Sequence, residues 1–465
     1  MSLALFIDFG STYTKLRAVD VEGGAIVASA QGPSTVTRDV NIGLDAALAR
    51  LDHALPGARF RWRLASSSAA GGLRMVTVGL VRELTAEAAR QAALGAGARL
   101  VGSFAYRLTA ADVAAIVALA PDIVLLCGGT DGGNATVILH NAHALAAAPL
   151  ACPVVVAGNR EATDEACAVL REAGRSAVAT ANVMPELNVL DIEPARAAIR
   201  DIFMHRIVQA KGIERAAARF DAVLMPTPAA VLEGARLAAD GTARSPGLGP
   251  LIVVDPGGAT TDVHSIGKGE PSEPGVLRHG LPDPYAKRTV EGDLGMRHNA
   301  GTIVAQAGLE GVAADARLAV ADAAAMLDAV TRDVERLPAS DAERRFDAAL
   351  ARAAIRIAVT RHAGTRDTVY TAQGPVQVQR GKDLGAFHLV VGTGGALVHA
   401  ASPAALLAAA LADPADPRSL RPRDVRFAVD RGYALYAVGL LAQVDAEAAL
   451  ALARAQLQVE EGALA

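Results

Sequence analysis

Ile7-Asp8-Phe9-Gly10-Ser11-Thr12-Tyr13-Thr14-Lys15 and Asp255-Pro256-Gly257-Gly258-Ala259-Thr260-Thr261-Asp262 decide the fold. Laid over one another without a gap from Asp8 and Asp255, the two strings carry aspartate, glycine and threonine at equivalent places. Each follows an apolar run, Leu3 to Asp8 and Leu251 to Asp255, which predicts a buried strand ending in a carboxylate and a tight glycine turn. In the first half, strands from Thr14 to Asp20 and from Ala25 to Ala30, joined through Glu22-Gly23-Gly24, complete an expected antiparallel meander. At such a turn glycine admits a ligand to the backbone, successive amides point inward and hydroxyls add donors, which makes an anion cradle. Asp8 at the strand end suits a hydrated Mg²⁺, an ion that keeps waters and prefers carboxylate oxygens. One such turn is equally well a hairpin with glycine and threonine for geometry alone. Two favour a pair of phosphate loops facing each other across a cleft, with Asp8 and Asp255 converging on one metal.

Between the two strings the pattern alternates strand and helix. Arg74 to Leu80, Ile123 to Leu126 and Val154 to Ala157 read as short buried strands, and Thr85 to Ala96 as a helix. Residues about 65–180 therefore look like an inserted α/β module of Rossmann-like character. Connecting helices follow over about 190–240, one opened by Glu193-Pro194 with Gly212 as its C-cap and one from about Thr227 to Ala239. The Gly/Pro/Ser-rich stretch Asp240 to Pro250 is the expected link, giving domains at 1–245 and 246–465. In the second half, helices are expected over about Asp293–Leu337 and Asp341–Arg361, with Asp293 as an N-cap, and a hairpin around Gly374-Pro375.

The chain's 465 residues exceed what one hydrophobic core supports, in keeping with this duplication. Forty-five basic against 49 acidic side chains leave a formal charge of -4, so no nucleic-acid partner is expected and any polyanion must be held locally. Cys127, Cys152 and Cys167 are odd in number and lack CxxC spacing, which argues against a disulfide framework or a thiolate zinc site. The amino terminus has no basic n-region and its apolar run is cut by Asp8, so neither a signal peptide nor a membrane span is expected and the location reads as cytoplasmic. His140 and His143 have no third ligand at metal-binding spacing.

A third element, Val390-Val391-Gly392-Thr393-Gly394-Gly395-Ala396, runs from an apolar strand through glycines into a helix and leaves room for a flat ring or ribose. The three elements, in this order, resemble the nucleotide-binding set of the actin, Hsp70 and sugar-kinase superfamily. The resemblance implies an α/β chain of two ribonuclease-H-like ATPase domains flanking a nucleotide cleft, with ATP and Mg²⁺ as cofactors. It implies Asp8 and Asp255 near the metal. It further implies Gly10, Ser11, Thr12, Thr14 and Lys15 at the first phosphate loop and Gly257, Gly258, Ala259 and Thr260 at the second. Gly392, Gly394, Gly395 and Ala396 would meet adenosine. Met225-Pro226-Thr227 matches the superfamily's connecting helix, where chaperones carry an acid ahead of Pro-Thr. Methionine does not deprotonate water, so a hydrolytic base must come from elsewhere, with Glu186, Asp262 and Glu291 as candidates, or hydrolysis must be slow.

Further strings narrow the resemblance: Leu126-Cys127-Gly128-Gly129-Thr130-Asp131-Gly132-Gly133-Asn134, Asn182-Val183-Met184-Pro185-Glu186-Leu187-Asn188 and Arg288-Thr289-Val290-Glu291-Gly292-Asp293-Leu294-Gly295. These are similar to the glutamate mutase accessory proteins, the MutL group of reactivating ATPases. That implies a reactivating chaperone whose partner is an adenosylcobalamin-dependent mutase, using slow ATP hydrolysis to release damaged cobalamin, with self-association of the chain left open. The alternative is a small-molecule kinase of the same fold. An activator carrying an iron-sulfur cluster would need paired thiolates that three dispersed cysteines do not offer.

Overall fold

The computed structural model describes residues 2–10, 13–33, 35, 39–67, 73–209, 221–372 and 374–459. It divides into two compact units. One comprises Met1–Gly234, Gly280–Pro284 and Tyr436–Ala449; the other comprises Ala235–His279, Tyr285–Leu435 and Leu450–Ala465.

In the first unit, β1 (Leu3–Phe9), β2 (Tyr13–Asp20) and β3 (Ala25–Pro33) form the expected meander. β4 (Phe60–Ser67) and a later strand, β10 (Ala222–Pro226), join parallel to β1, giving the order β10-β4-β1-β2-β3. β1 is central and its residues from Ala4 to Phe9 are buried, which explains why its sequence is a continuous apolar run rather than an alternating one. Between β4 and β10 lies an all-parallel sheet of β5 (Arg74–Gly79), β6 (Arg99–Ala105), β7 (Ile123–Leu126), β8 (Val154–Val156) and β9 (Ala177–Ala179), ordered β6-β5-β7-β8-β9. Val76, Val78, Val124 and Leu126 enter one core and Met75, Ile123, Leu125 and Cys127 the other, so alternate residues bury both faces. This is the α/β insertion that strand-helix alternation predicts. The connecting helix spans Glu193–Gln209, and Gly212, its expected cap, lies outside the described residues.

The second unit repeats the first sheet. β11 (Leu251–Pro256), β12 (Thr261–Ile266) and, after a short β13 (Leu277–Arg278), β14 (Ala286–Glu291) make the antiparallel meander. After a hairpin of β15 (Thr365–Thr371) and β16 (Gly374–Arg380) come β17 (Leu389–Gly392) and β18 (Arg426–Asp430), which add parallel, and β19 (Leu457–Val459) closes the order β14-β12-β11-β17-β18-β19. Both sheets thus carry a three-strand meander followed by two parallel strands on the far side of the first, which is the duplicated ribonuclease-H-like fold. The helix Asp341–His362, opened by a Ser340/Glu343 capping box, packs Phe346, Leu350 and Ile355 into this unit's core.

One local expectation changes. Helices occupy Ala300–Ala307, Leu309–Ala316 and Val320–Arg332, so the residues from Asp293 to Asn299 are not helical. Asp293 accepts from Arg361 and Gln306, and no helix starts beside it for its carboxylate to cap. The hairpin expected around Gly374-Pro375 is present, with Thr371 paired to Gly374 and Tyr370 to Pro375. The Gly/Pro/Ser-rich stretch folds back on the helix Thr227–Asp240, with Leu248 and Gly249 donating their amides to Ala238 and Ala239.

His264 on β12 is buried, and among the described residues its Nδ1 has no hydrogen-bond partner. Burial and the Arg288 charge pull its pKa down to about 3. The unfolded chain therefore binds a proton that the folded chain refuses between about pH 6.5 and about 3, and stability falls as pH falls through that window, by roughly 1.4 kcal/mol per unit. The urea midpoint of the chain should drop between pH 7.5 and 5 by the equivalent of about 2 kcal/mol, and His264→Gln should flatten that slope. An unchanged slope in the variant would show that other groups set the pH dependence.

Candidate nucleotide site

The strands flanking the two Asp-x-Gly turns pair in the same register and share one hydrogen bond. Asp8 pairs with Lys15 across β1 and β2, and Asp255 with Asp262 across β11 and β12. The Gly10 amide donates to the Tyr13 carbonyl at 3.1 Å, and the Gly257 amide to that of Thr260 at 2.8 Å. The ungapped overlay read from sequence is thus a true structural equivalence. Ser11 and Thr12 lie outside the described residues.

In the first unit Asp8 is buried at the end of β1 beside Ser66 on β4 and Thr227 after β10. The Thr227 hydroxyl donates to Asp8 Oδ1 at 2.6 Å and stands 3.1 Å from the Ser66 hydroxyl, which itself lies 3.4 Å from the same oxygen. Burial pushes the Asp8 carboxyl above the usual aspartate range, opposed by these hydroxyls and by the charges of Lys15 and Arg17. A bound cation would reverse that bias by favouring the ionised form. Thr14 is buried and Lys15 half-buried on β2. Met225 pairs with Ser66 and is buried, which confirms that a thioether stands in the same strand row as Asp8.

In the second unit, loop two and the Gly394 loop come together. A cavity of about 740 Å³ is lined by Pro256, Gly257 and Gly258 on one side and by Gly395, Ala396 and His399 on another. Arg344, Arg345, Ala348 and Arg352 of the helix Asp341–His362 form a further wall, with Arg297 beside loop two. The volume lies in the range of small-molecule sites, and of the four arginines lining it Arg297, Arg344 and Arg352 are held in ion pairs by Asp347, Asp341 and Asp315. Arg297 forms an ion pair with Asp347 at 2.5 Å, and burial raises the Asp347 carboxyl against that pairing.

Gly394 has φ +87, and a Cβ there would press on the Asp255 carboxylate, so the glycine permits the close passage of loop and acid. Gly392 serves packing: it is buried on β17 against Leu397 and Leu407. Ala259 sits against Gly295, and its carbonyl accepts from Asn299. The Thr260 hydroxyl donates to Asp262 at 3.1 Å.

The candidate bases are engaged in different ways. Asp262 accepts from buried Arg288 through Nη2 at 2.7 Å and Nε at 3.1 Å, and Glu291 accepts from Arg361 at 2.6 Å. Glu186 is exposed in a turn bridged to Val189, next to Pro185, whose carbonyl accepts from the Asp131 amide in the inserted module.

Sequence reasoning missed Ser66 and Asp430. Strand rows place Asp430 in the second unit where Met225 stands in the first: Val254, Gly392 and Val429 pair, and the next residues are Asp255, Thr393 and Asp430. Asp430 accepts from the amides of Ala434 and Leu435 and from the Thr393 hydroxyl, which ties the Gly394 loop to a helix start. The signal was present in Phe427-Ala428-Val429-Asp430, a third apolar run closed by aspartate. Among the described residues no group of three metal-ligating side chains occurs, and no helix is long and apolar enough to cross a membrane.

Among solved structures, a gluconate kinase from Lactobacillus acidophilus aligns with 99% of this chain and 93% of its own at 13% identity and a TM-score of 0.39. Ethanolamine utilization protein EutJ from Carboxydothermus hydrogenoformans aligns with 97% of this chain and 90% of its own at 12% identity and a TM-score of 0.29. These scores are low, and the fold rests on the strand order. Sequence likeness is far closer. Protein MutL of Clostridium tetanomorphum is 46% identical over 445 residues, 95% of this chain and 96% of the relative. The family pattern described as "MutL protein" matches residues 4–457, which takes in both Asp-x-Gly turns, the inserted module and the Gly394 loop, and so this chain belongs to the MutL protein family.

Proposed function

We propose that this chain is an ATP-dependent accessory protein that reactivates a coenzyme-B12-dependent mutase of the glutamate mutase type by driving release of damaged cobalamin. The observation that carries the nucleotide part is the cavity bounded by Gly257-Gly258 and Gly395-Ala396 and faced by arginines. Phosphates would take the amides of loop two, and the base and ribose would lie against Gly395 and Ala396. The turn at Gly10 is proposed as the other phosphate loop, with Lys15 as its cation. Asp8 and Asp255 are of the type and number that a hydrated Mg²⁺ requires, since that ion takes one or two carboxylates and keeps its waters. When bound, Mg²⁺ supplies charge neutralisation on the nucleotide phosphates.

Slow turnover follows from what stands near Asp8. Among the described residues, its neighbours in the strand row are the hydroxyls of Thr227 and Ser66 and the thioether of Met225, none of them a strong base. A protein that holds ATP long and ADP differently has the free-energy difference needed to favour one conformation over another, which suits a switch acting on a partner. The mutase partner is supported by family membership and by the group-specific strings at Leu126–Asn134 and Arg288–Gly295.

The test is direct. Purified protein with Mg-ATP is added to a mutase inactivated by turnover, with free adenosylcobalamin present, and return of mutase activity is followed. Recovery that needs ATP is expected. ATP hydrolysis without recovery would overturn the partner assignment, and phosphate transfer to a small metabolite would favour the kinase.

A further inference from the structure

The segment from Glu291 to Asn299, which follows β14, straps loop two. The amides of Met296, Arg297 and His298 donate to the carbonyls of Gly257 and Gly258 at 2.9–3.0 Å. Asn299 Nδ2 reaches the Ala259 carbonyl at 3.1 Å, and the Thr261 hydroxyl donates to the Leu294 carbonyl at 2.7 Å. The strap therefore holds the backbone carbonyls of the loop, while the Gly257 amide closes the turn on Thr260.

The strap is itself fastened at its start. Arg361, in the last turn of the helix Asp341–His362, spreads its guanidinium over Glu291 at 2.6 Å, both oxygens of Asp293 at 2.8 and 3.0 Å, and the Gln306 side-chain oxygen at 2.7 Å. A planar fork with four acceptors fixes orientation in a way a point charge does not. The same helix makes a second attachment further along the strap, through Asp347 to Arg297. Its first turns wall the cavity with Arg344 and Arg345. One rigid element thus joins the cavity wall to the support of loop two.

We propose that Arg361 is a positioning residue for phosphate binding: its clasp on Glu291 and Asp293 sets the strap that presents loop two. This rests on the nucleotide assignment above. Glu291 then acts by anchoring the loop rather than as a base.

Equilibrium binding of ATP and of adenosine to the full chain separates this role from a general structural one, because adenosine would use the Gly395-Ala396 side of the cavity and not the phosphate loop. Arg361→Ala should weaken ATP about tenfold and adenosine less than twofold, and Arg361→Lys should recover part of the loss. Equal weakening of both ligands, or of neither, would overturn the positioning role. If Arg361→Ala does not fold, Asp293→Asn keeps the volume, leaves Glu291 to hold the arginine, and should shift the same ratio in the same direction. If the unaltered chain binds no ATP, the nucleotide assignment falls and the clasp with it; if it binds ATP and the ratio stays fixed in both variants, only the clasp falls.

Discussion

Asp8→Asn and Asp255→Asn are each expected to lower Mg²⁺-dependent ATP turnover by about 10³-fold, the scale of removing a principal charge stabiliser from a phosphoryl-transfer site. Asparagine keeps the shape of the side chain and an oxygen that accepts from Thr227, so the substitution at position 8 removes charge and little else. Burial already disfavours that charge in the cation-free chain, so the thermal midpoint of Asp8→Asn should be unchanged or higher while turnover collapses. Loss of turnover together with a rise in melting temperature is a combination that simple misfolding does not produce. Turnover retained within about tenfold in both variants would show that the metal carboxylates lie elsewhere.

Gly394→Val is expected to cost roughly 1–3 kcal/mol in stability and to weaken ATP binding at least about tenfold. The backbone there has φ +87, a region that a β-branched residue resists, and the new Cβ would be driven onto the Asp255 carboxylate and to 3.4 Å from the Pro256 carbonyl. Either the loop or the acid must move, and both belong to the proposed site. Urea titration reads the first quantity and ligand titration the second. Normal stability with normal affinity would remove Gly394 from the nucleotide-binding set.

Much of the fold was legible because it depends on local chemistry. An apolar run closed by Asp-x-Gly specifies a buried strand and a tight turn from either half of the chain, and the equivalent pairs Asp8–Lys15 and Asp255–Asp262 follow from that turn alone. The inserted module was legible through its strand-helix alternation. The roles of the acids were not. Asp293 has the spacing of a helix cap, yet the partner that claims it is 68 residues further on. Asp262 and Glu291 have the chemistry of bases, yet each meets an arginine, Arg288 from the adjacent strand and Arg361 from a helix end. Nothing local distinguishes a free carboxylate from a paired one.

The sequence by itself determined the duplication, the placement of a carboxylate and a glycine turn at the head of each sheet, and the absence of an overall basic character, since these depend on residue type and near neighbours. Its formal charge of -4 meant that any polyanion must be held locally. The tertiary structure decided which side chains surround the second unit's cavity: Arg297, Arg344, Arg345 and Arg352 line it, three of them in ion pairs with Asp347, Asp341 and Asp315. A net charge sums over the whole chain, whereas a binding field depends on which side chains a fold brings within a few ångströms of one another, and only packing fixes that distance.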